Sequence, residues 1–258
     1  MPFPFGEQFQ ERSKFDVPQR MYVEEEWPDE WKKIHYKQYP RCERLLLPEP
    51  SFLTTPLSEL FLTRKSVRSF DLQDRLTLEQ ISTLLFHAAG IIAVAPEEGV
   101  AQRRTHPSAG ARYPLEIYAA VFRSLGFKEG IYHYDVRRHA IELLAPASRL
   151  ARISDALAYP WSRDATSVFF ASAVSSRTTT KYGERGYRYA LLESGHVMQN
   201  LSLAANAMGR CVVSLGGAAE RPIESLLELD GVSESIVYSV AIGKQRGNGD
   251  PIVIHSRI

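Results

Sequence analysis

Cysteine is nearly absent from this sequence. Cys42 and Cys211 are the two in 258 residues, and neither lies in a CxxC pair or a Cys/His cluster. That excludes a disulfide framework and leaves zinc without a ligand set, and a reducing cytoplasm is the compartment that fits. An excess of either charge is also missing. Thirty-one Lys and Arg against 30 Asp and Glu leave +1 at pH 7, so nothing global draws the chain to nucleic acid or to an anionic membrane. Any anion site must be local. No apolar run reaches the roughly 18 residues of a spanning helix, and MPFPFGEQFQERSKFD has no basic stretch followed by an apolar one. The expectation is a protein neither secreted nor embedded in a membrane. There is no internal repeat and no GxGxxG turn.

The composition that remains, 44% hydrophobic and 24% charged, is that of a globular chain able to bury a core as one domain with an appendage. Residues 1–56 read as the appendage. They hold prolines, Trp27 and Trp31, acidic EEEWPDEW and basic KKIHYK without sustained periodicity, with a short helix around Pro28 to Tyr39. This arm is expected to pack on the core or on a partner subunit. The proline-punctuated LPEPSFLTTP marks the boundary to a main domain over 57–258.

Thr77 with Gln80 makes a capping box, and Ile81, Leu84, Leu85 and Ala88 follow helical spacing until Gly90. EIYAAVF (116–122), GIYHYD (130–135), AIELL (140–144), SVFFASAV (167–174), CVVSLGG and SIVYSVAIG read as strands, with a hairpin across VRRH. From Tyr187 to Met208 runs the longest helix, apolar on nearly all faces and therefore expected to be buried on several sides. Elements alternate without a regular βαβ count. The fold class is α+β, with a mixed, mainly antiparallel central sheet flanked by helices.

Four stretches hold the residue types of a ligand site. Arg64, Lys65, Ser66 and Arg68 put three cations and a hydroxyl within five residues, suited to a phosphate or to a solvated turn. Pro107, Ser108, Ala109 and Gly110 leave backbone amides open to a flat ring, or form a plain loop before a strand. Leu215, Gly216 and Gly217 end a strand with little side chain. Lys244 and Arg246 add cations beyond another strand. The fifth stretch, TTTKYGERGYR, sets Lys181 and Tyr182 ahead of the long helix and reads as a loop.

Together these stretches resemble the FMN-dependent nitroreductase-like proteins over about residues 60–246. Within that superfamily, PSAGARYPLE with GIYHYD and HAIELL is similar to the McbC/SagB-type azoline dehydrogenases, and so is KYGERGYRYALLESGH. Ala111 stands where general nitroreductases often carry asparagine, which points away from a promiscuous nitroreductase. The resemblance implies a nitroreductase-like fold, with the long helix at a homodimer interface. It implies FMN held by Arg64, Lys65, Ser66, Arg68, Pro107, Ser108, Ala109, Gly110, Leu215, Gly216, Gly217, Lys244 and Arg246.

It further implies Lys181 and Tyr182 as the catalytic pair, acting on a thiazoline or oxazoline in a peptide or on a carrier, with a cyclodehydratase complex as a partner. Dehydrogenation sends a hydride to the flavin and a proton to a base. Lysine is a base only as the neutral amine, and burial beside the flavin with Arg185 and Arg188 nearby would favour that form. Glu193, His196 and Asn200 share one face of the long helix, where hydrogen bonding within the protein is the expected role, ahead of contact with flavin or substrate. Two alternatives remain: an NAD(P)H-dependent nitro or flavin reductase of the same fold, and a non-catalytic scaffold subunit of a peptide-modifying complex.

Overall fold

The computed structural model describes residues 4–14, 17, 26–93 and 102–247. The remainder of the arm and the end of the main domain beyond 247 lie outside them. In chain order the elements are α1 (Pro4–Arg12), α2 (Asp29–Lys32), β1 (Glu43–Leu46), α3 (Leu57–Thr63), β2 (Leu76–Thr77) and α4 (Leu78–Ala89). Then come β3 (Ile91–Ala93), β4 (Arg103–Arg104), β5 (Leu115–Val121), β6 (Ser124–Leu125), β7 (Gly130–Asp135), β8 (Ala140–Pro146) and α5 (Leu150–Ala156). The chain continues through β9 (Ser167–Val174), α6 (Ser176–Tyr182), α7 (Arg185–Ala207), β10 (Cys211–Ser214), α8 (Glu220–Leu226) and β11 (Glu234–Gly243).

A sheet in the order β1-β8-β7-β5-β9-β11-β10 divides two cores, and every neighbouring pair in it is antiparallel. Parallel pairing occurs in the short β2–β6 ladder and at the Ser66–Val212 bridge beside β10. Alternation across the pleat separates the faces. Leu115, Ile117, Ala119 and Phe169 meet α4 and α7 through Leu84, Leu85, Val197, Met198 and Leu201. Tyr118, Ala120, Val168 and Phe170 meet α5 and α8 through Ile153 and Ile223. With both faces covered, β5 and β9 read in sequence as continuous apolar runs instead of alternating ones.

The capping box at α4 forms as its sequence predicts, with Gln80 N donating to the Thr77 hydroxyl and Thr77 N to the Gln80 side chain. The long helix also forms, but it is not apolar all round. Leu192, Gly195, His196 and Gln199 follow helical spacing and lie exposed, so α7 presents one open face.

The described parts of the arm include regular elements that pack on the main domain. Glu43–Leu46 pairs with β8 and forms one edge of the main sheet, and α1 lies against α7, where Arg185 donates to Ser13 O and Arg188 to Gln10 O. These two guanidinium groups are therefore engaged by the segment around α1. No described helix is long and apolar enough to cross a membrane.

Candidate functional site

Lys181 and Tyr182 close a helix and are not on a loop. Thr179 and Thr180, poor helix formers, satisfy their hydroxyls on the carbonyls of Ser175 and Ser176 one turn back. Gly183, at φ 57 and ψ −146, then breaks the chain between α6 and α7 in a conformation reserved for glycine.

The base of α6 is anchored on the sheet. Arg177 on α6 pairs with Glu116 of β5 at 2.5 Å and donates to Tyr113 O, and its own carbonyl accepts from Arg112 Nε. Lys181 stands four residues after Arg177, on the same face of the helix. Glu116 in turn accepts from His133 Nε2 at 3.0 Å, and His133 Nδ1 meets Glu142 at 3.0 Å. Burial alone would raise both carboxyls, but Arg177 and His133 pull Glu116 down to about 2, and His133 and Arg44 do the same for Glu142. Burial would lower His133, but the two carboxylates raise it, so the imidazole is the cation of a buried triad.

The loop before β5 faces α6. Ser108 Oγ accepts from Tyr113 N at 2.8 Å, which commits the hydroxyl to shaping the loop. Gly110 adopts φ 58, and a Cβ placed there would lie 2.5 Å from the Tyr182 hydroxyl and 3.2 Å from Lys181 Nζ. Thus Gly110 and the Lys181–Tyr182 pair, far apart in sequence, form one constellation. Tyr182 stands edge-on to Tyr189 at 5.1 Å. Burial and Tyr189 push its phenol up against the pull of Arg112, so at neutral pH it is a hydrogen-bond donor.

The loop is tied to α7 as well. His106 Nε2 lies 3.1 Å from Glu193 Oε1, both side chains being buried, and Asn200 Nδ2 donates to Thr105 O. Glu193 and Asn200 thus have the hydrogen bonds within the protein that their place on the helix implies, whereas His196 is exposed. His106 Nδ1 and Glu193 Oε2 have no partner among the described residues.

The cations gather at another end of the sheet. Ser66 bridges Val212 of β10, Phe70 bridges Gln245, Asp71 N donates to Lys244 O and Arg246 N to Ser69 O. The stretch carrying Arg64, Lys65 and Arg68 is thereby laid beside Lys244 and Arg246. Arg246 also reaches Asp164 at 3.2 Å, and Arg68 lies over Trp161 at 6.0 Å. Leu215 to Gly217 follow directly from β10. Gly216 has open space where a side chain would be, whereas Gly217 packs against Ala158 and Tyr159.

Sequence reasoning missed what organises this end. Buried Asp74 accepts from Arg210, from Thr166 Oγ1 at 2.6 Å and from Lys244 N at 3.0 Å. One carboxylate therefore positions the second cation stretch. α7 relates the two constellations, because Asn200 holds Thr105 while Asn206 Nδ2 donates to Thr63, next to Arg64. Six residues of helix place these anchors roughly 9 Å apart along the axis.

The nitroreductase family profile matches residues 62–244. Among curated proteins, the chain is 36% identical over 181 residues to Methanocaldococcus jannaschii MJ1384, provisionally named a nitroreductase, covering 70% of this chain and 88% of that one. It is 29% identical to the trifolitoxin-processing protein TfxB of Rhizobium leguminosarum bv. trifolii, with 69% and 50% covered. It is 28% identical to the microcin B17-processing protein McbC of Escherichia coli, with 68% and 66% covered. The chain thus spans half of TfxB and just under two thirds of McbC.

Among solved structures, a chain of the E. coli microcin synthetase McbBCD complex with truncated pro-MccB17 bound has the same fold. Its TM-score is 0.61 at 21% identity, covering 94% of this chain and 92% of that one. An oxidoreductase containing FMN superposes with a TM-score of 0.53 at 18% identity, covering 74% and 78%.

Proposed function

The chain belongs to the nitroreductase family, and within it we propose an FMN-dependent dehydrogenase that oxidises thiazoline or oxazoline rings to thiazoles or oxazoles in a peptide. The observation that carries this reading is the closeness of Lys181 and Tyr182 to Gly110, which sets a base and a hydrogen-bond donor over a stretch of backbone with no side chain in the way. Similarity to TfxB and McbC supports the peptide substrate and the McbC/SagB-type branch.

The residues present fit FMN. Open Gly216 leaves room for a flat ring, and Arg64, Lys65, Arg68 and Lys244 supply the charge a phosphate needs. Bound FMN would take the hydride. The chain's own residues have the other half of the task, since aromatisation also removes a proton from carbon. Lys181 Nζ as the free amine accepts that proton, and the Tyr182 phenol donates a hydrogen bond that orients the ring nitrogen.

A positioned base of this kind contributes a factor of about 10² to 10⁴ in rate. The Arg177–Glu116 pair holds both residues at the right height by fixing the turn beneath them. A homodimer is part of the proposal. Exposed Leu57, Phe61 and Leu62 on α3 and Leu192 on α7 are apolar surfaces that a second copy would cover.

The test is purification followed by an absorbance spectrum and a turnover assay with an azoline peptide. Oxidised-flavin bands are expected in the wild type and in Lys181→Ala alike, with azole formation abolished only in the variant. Turnover retained by Lys181→Ala would remove the base assignment. A colourless chain with no affinity for FMN would favour the scaffold role, and efficient NADPH-driven reduction of a nitroaromatic would favour the reductase.

A further inference from the structure

The arm reaches the proposed catalytic lysine. Lys181 Nζ lies 3.4 Å from the ring centroid of Trp27, 5.2 Å from that of Trp31 and 5.7 Å from that of Tyr182. Indole is the strongest neutral partner for a cation among the side chains, and the attraction operates within about 6 Å of the ring. All three rings are inside that distance. The contact is not left to a loose segment, because Arg112 fastens the arm. Its Nη2 donates to Glu30 O at 3.1 Å and its Nη1 to Trp31 O, while its Nε donates to Arg177 O at the base of α6. One buried guanidinium thus links α2 to the helix that carries Lys181.

An aromatic face attracts the ammonium and not the neutral amine. The cage therefore opposes the form in which lysine works as a base. We propose that Trp27 and Trp31 are positioning residues for Lys181, holding its ammonium on the indole faces beside Gly110 until a planar azoline ring takes its place. On that exchange the ammonium gives its proton to water, and the free amine then accepts the proton from the substrate carbon. The arm thereby ties the presence of a ring to the release of the base. This rests on the assignment of Lys181 as base, but its test does not require turnover.

The experiment is competitive trace acetylation of the full chain without substrate, following the Lys181-containing peptide by mass spectrometry across pH. Trp27→Leu keeps an apolar cover over the amine but removes the π-face, whereas Trp27→Phe keeps a face. The ionisable groups on the elements that meet there, Glu26, Asp29, Glu30, Lys32, Lys33 and His35 on the arm, Arg112 on the loop and Arg177, Tyr182, Glu184 and Arg185 on or between the helices, are the same in all variants.

The half-labelling pH is expected to fall by about one unit in Trp27→Leu, and to stay near the wild-type value in Trp27→Phe. Trp31→Leu, which removes the more distant ring, should give a smaller fall and serves as the second variant if Trp27→Leu does not fold. An unchanged or raised half-labelling pH in the leucine variants overturns the cage. Failure of azoline turnover with the expected labelling shift would instead refute the reaction and leave the cage standing.

Discussion

The Tyr182 hydroxyl lies where a methyl group on Gly110 would have to go, 2.5 Å from the ideal Cβ position. Gly110→Ala therefore has two separable effects. The left-handed backbone at φ 58 costs an L-residue about 1–2 kcal/mol, which urea unfolding will read. The new methyl also drives the phenol away, so azoline turnover should fall by at least tenfold even at temperatures where the variant is fully folded. Unchanged turnover in folded Gly110→Ala would show that the phenol is not needed at that spot.

The Glu116–His133–Glu142 triad makes stability depend on pH in a definite direction. Both carboxyls sit at about 2 in the folded chain, below their unfolded values, so their contribution is complete above about pH 4.5 and is lost as pH falls towards 2. His133 is raised, so its contribution is complete below about pH 6.5 and is lost as pH rises through its folded value. His133→Asn leaves two buried carboxylates without their shared cation. It should cost about 3–5 kcal/mol at neutral pH and move the acid unfolding midpoint upwards. Acid titrations of wild type and variant by circular dichroism check both, and coincident midpoints would refute the imidazolium.

Asp74 holds the cation end together, accepting from Arg210, Thr166 and the Lys244 amide. Asp74→Ala leaves Arg210 buried without its carboxylate, at a cost of about 3–5 kcal/mol. Asp74→Asn keeps an acceptor for Lys244 N and should retain more of the fold. Both should weaken FMN binding in fluorescence titrations, the alanine variant more. Equal FMN affinity in all three proteins would separate Asp74 from the proposed phosphate subsite.

What could be read from the sequence was local or periodic. The Thr77–Gln80 cap and the run 167–174 declare themselves within a few residues, because caps and buried strands are written in neighbouring side chains. Asp74 could not be read, since its partners Thr166, Arg210 and Lys244 stand 92, 136 and 170 residues away. β1 was hidden for the same reason: ERLL is short and mostly exposed, and becomes a strand because β8 offers it an edge.

The stretch TTTKYGERGYR reads in sequence as a loop, but its first part, through Tyr182, is helical. That part folds as a helix because the Thr179 and Thr180 hydroxyls turn inwards to the preceding carbonyls and Arg177 is pinned to Glu116. Trp27 and Trp31 were visible as aromatics in an arm, but nothing in their spacing pointed to a lysine some 150 residues later.

The stretch with Arg64, Lys65 and Arg68 has a second office at the margin of the sheet. β10 is the outermost strand on its side, and the segment through Ser66 and Val67 runs along it, with Val67 N donating to Val212 O. The hydrogen bonds that seat the cations thus also occupy main-chain groups that would otherwise be free to recruit a foreign strand. If the proposed phosphate subsite fills by lifting this segment, the same movement uncovers a sticky margin, so loading of that subsite and protection against aggregation would draw on one contact.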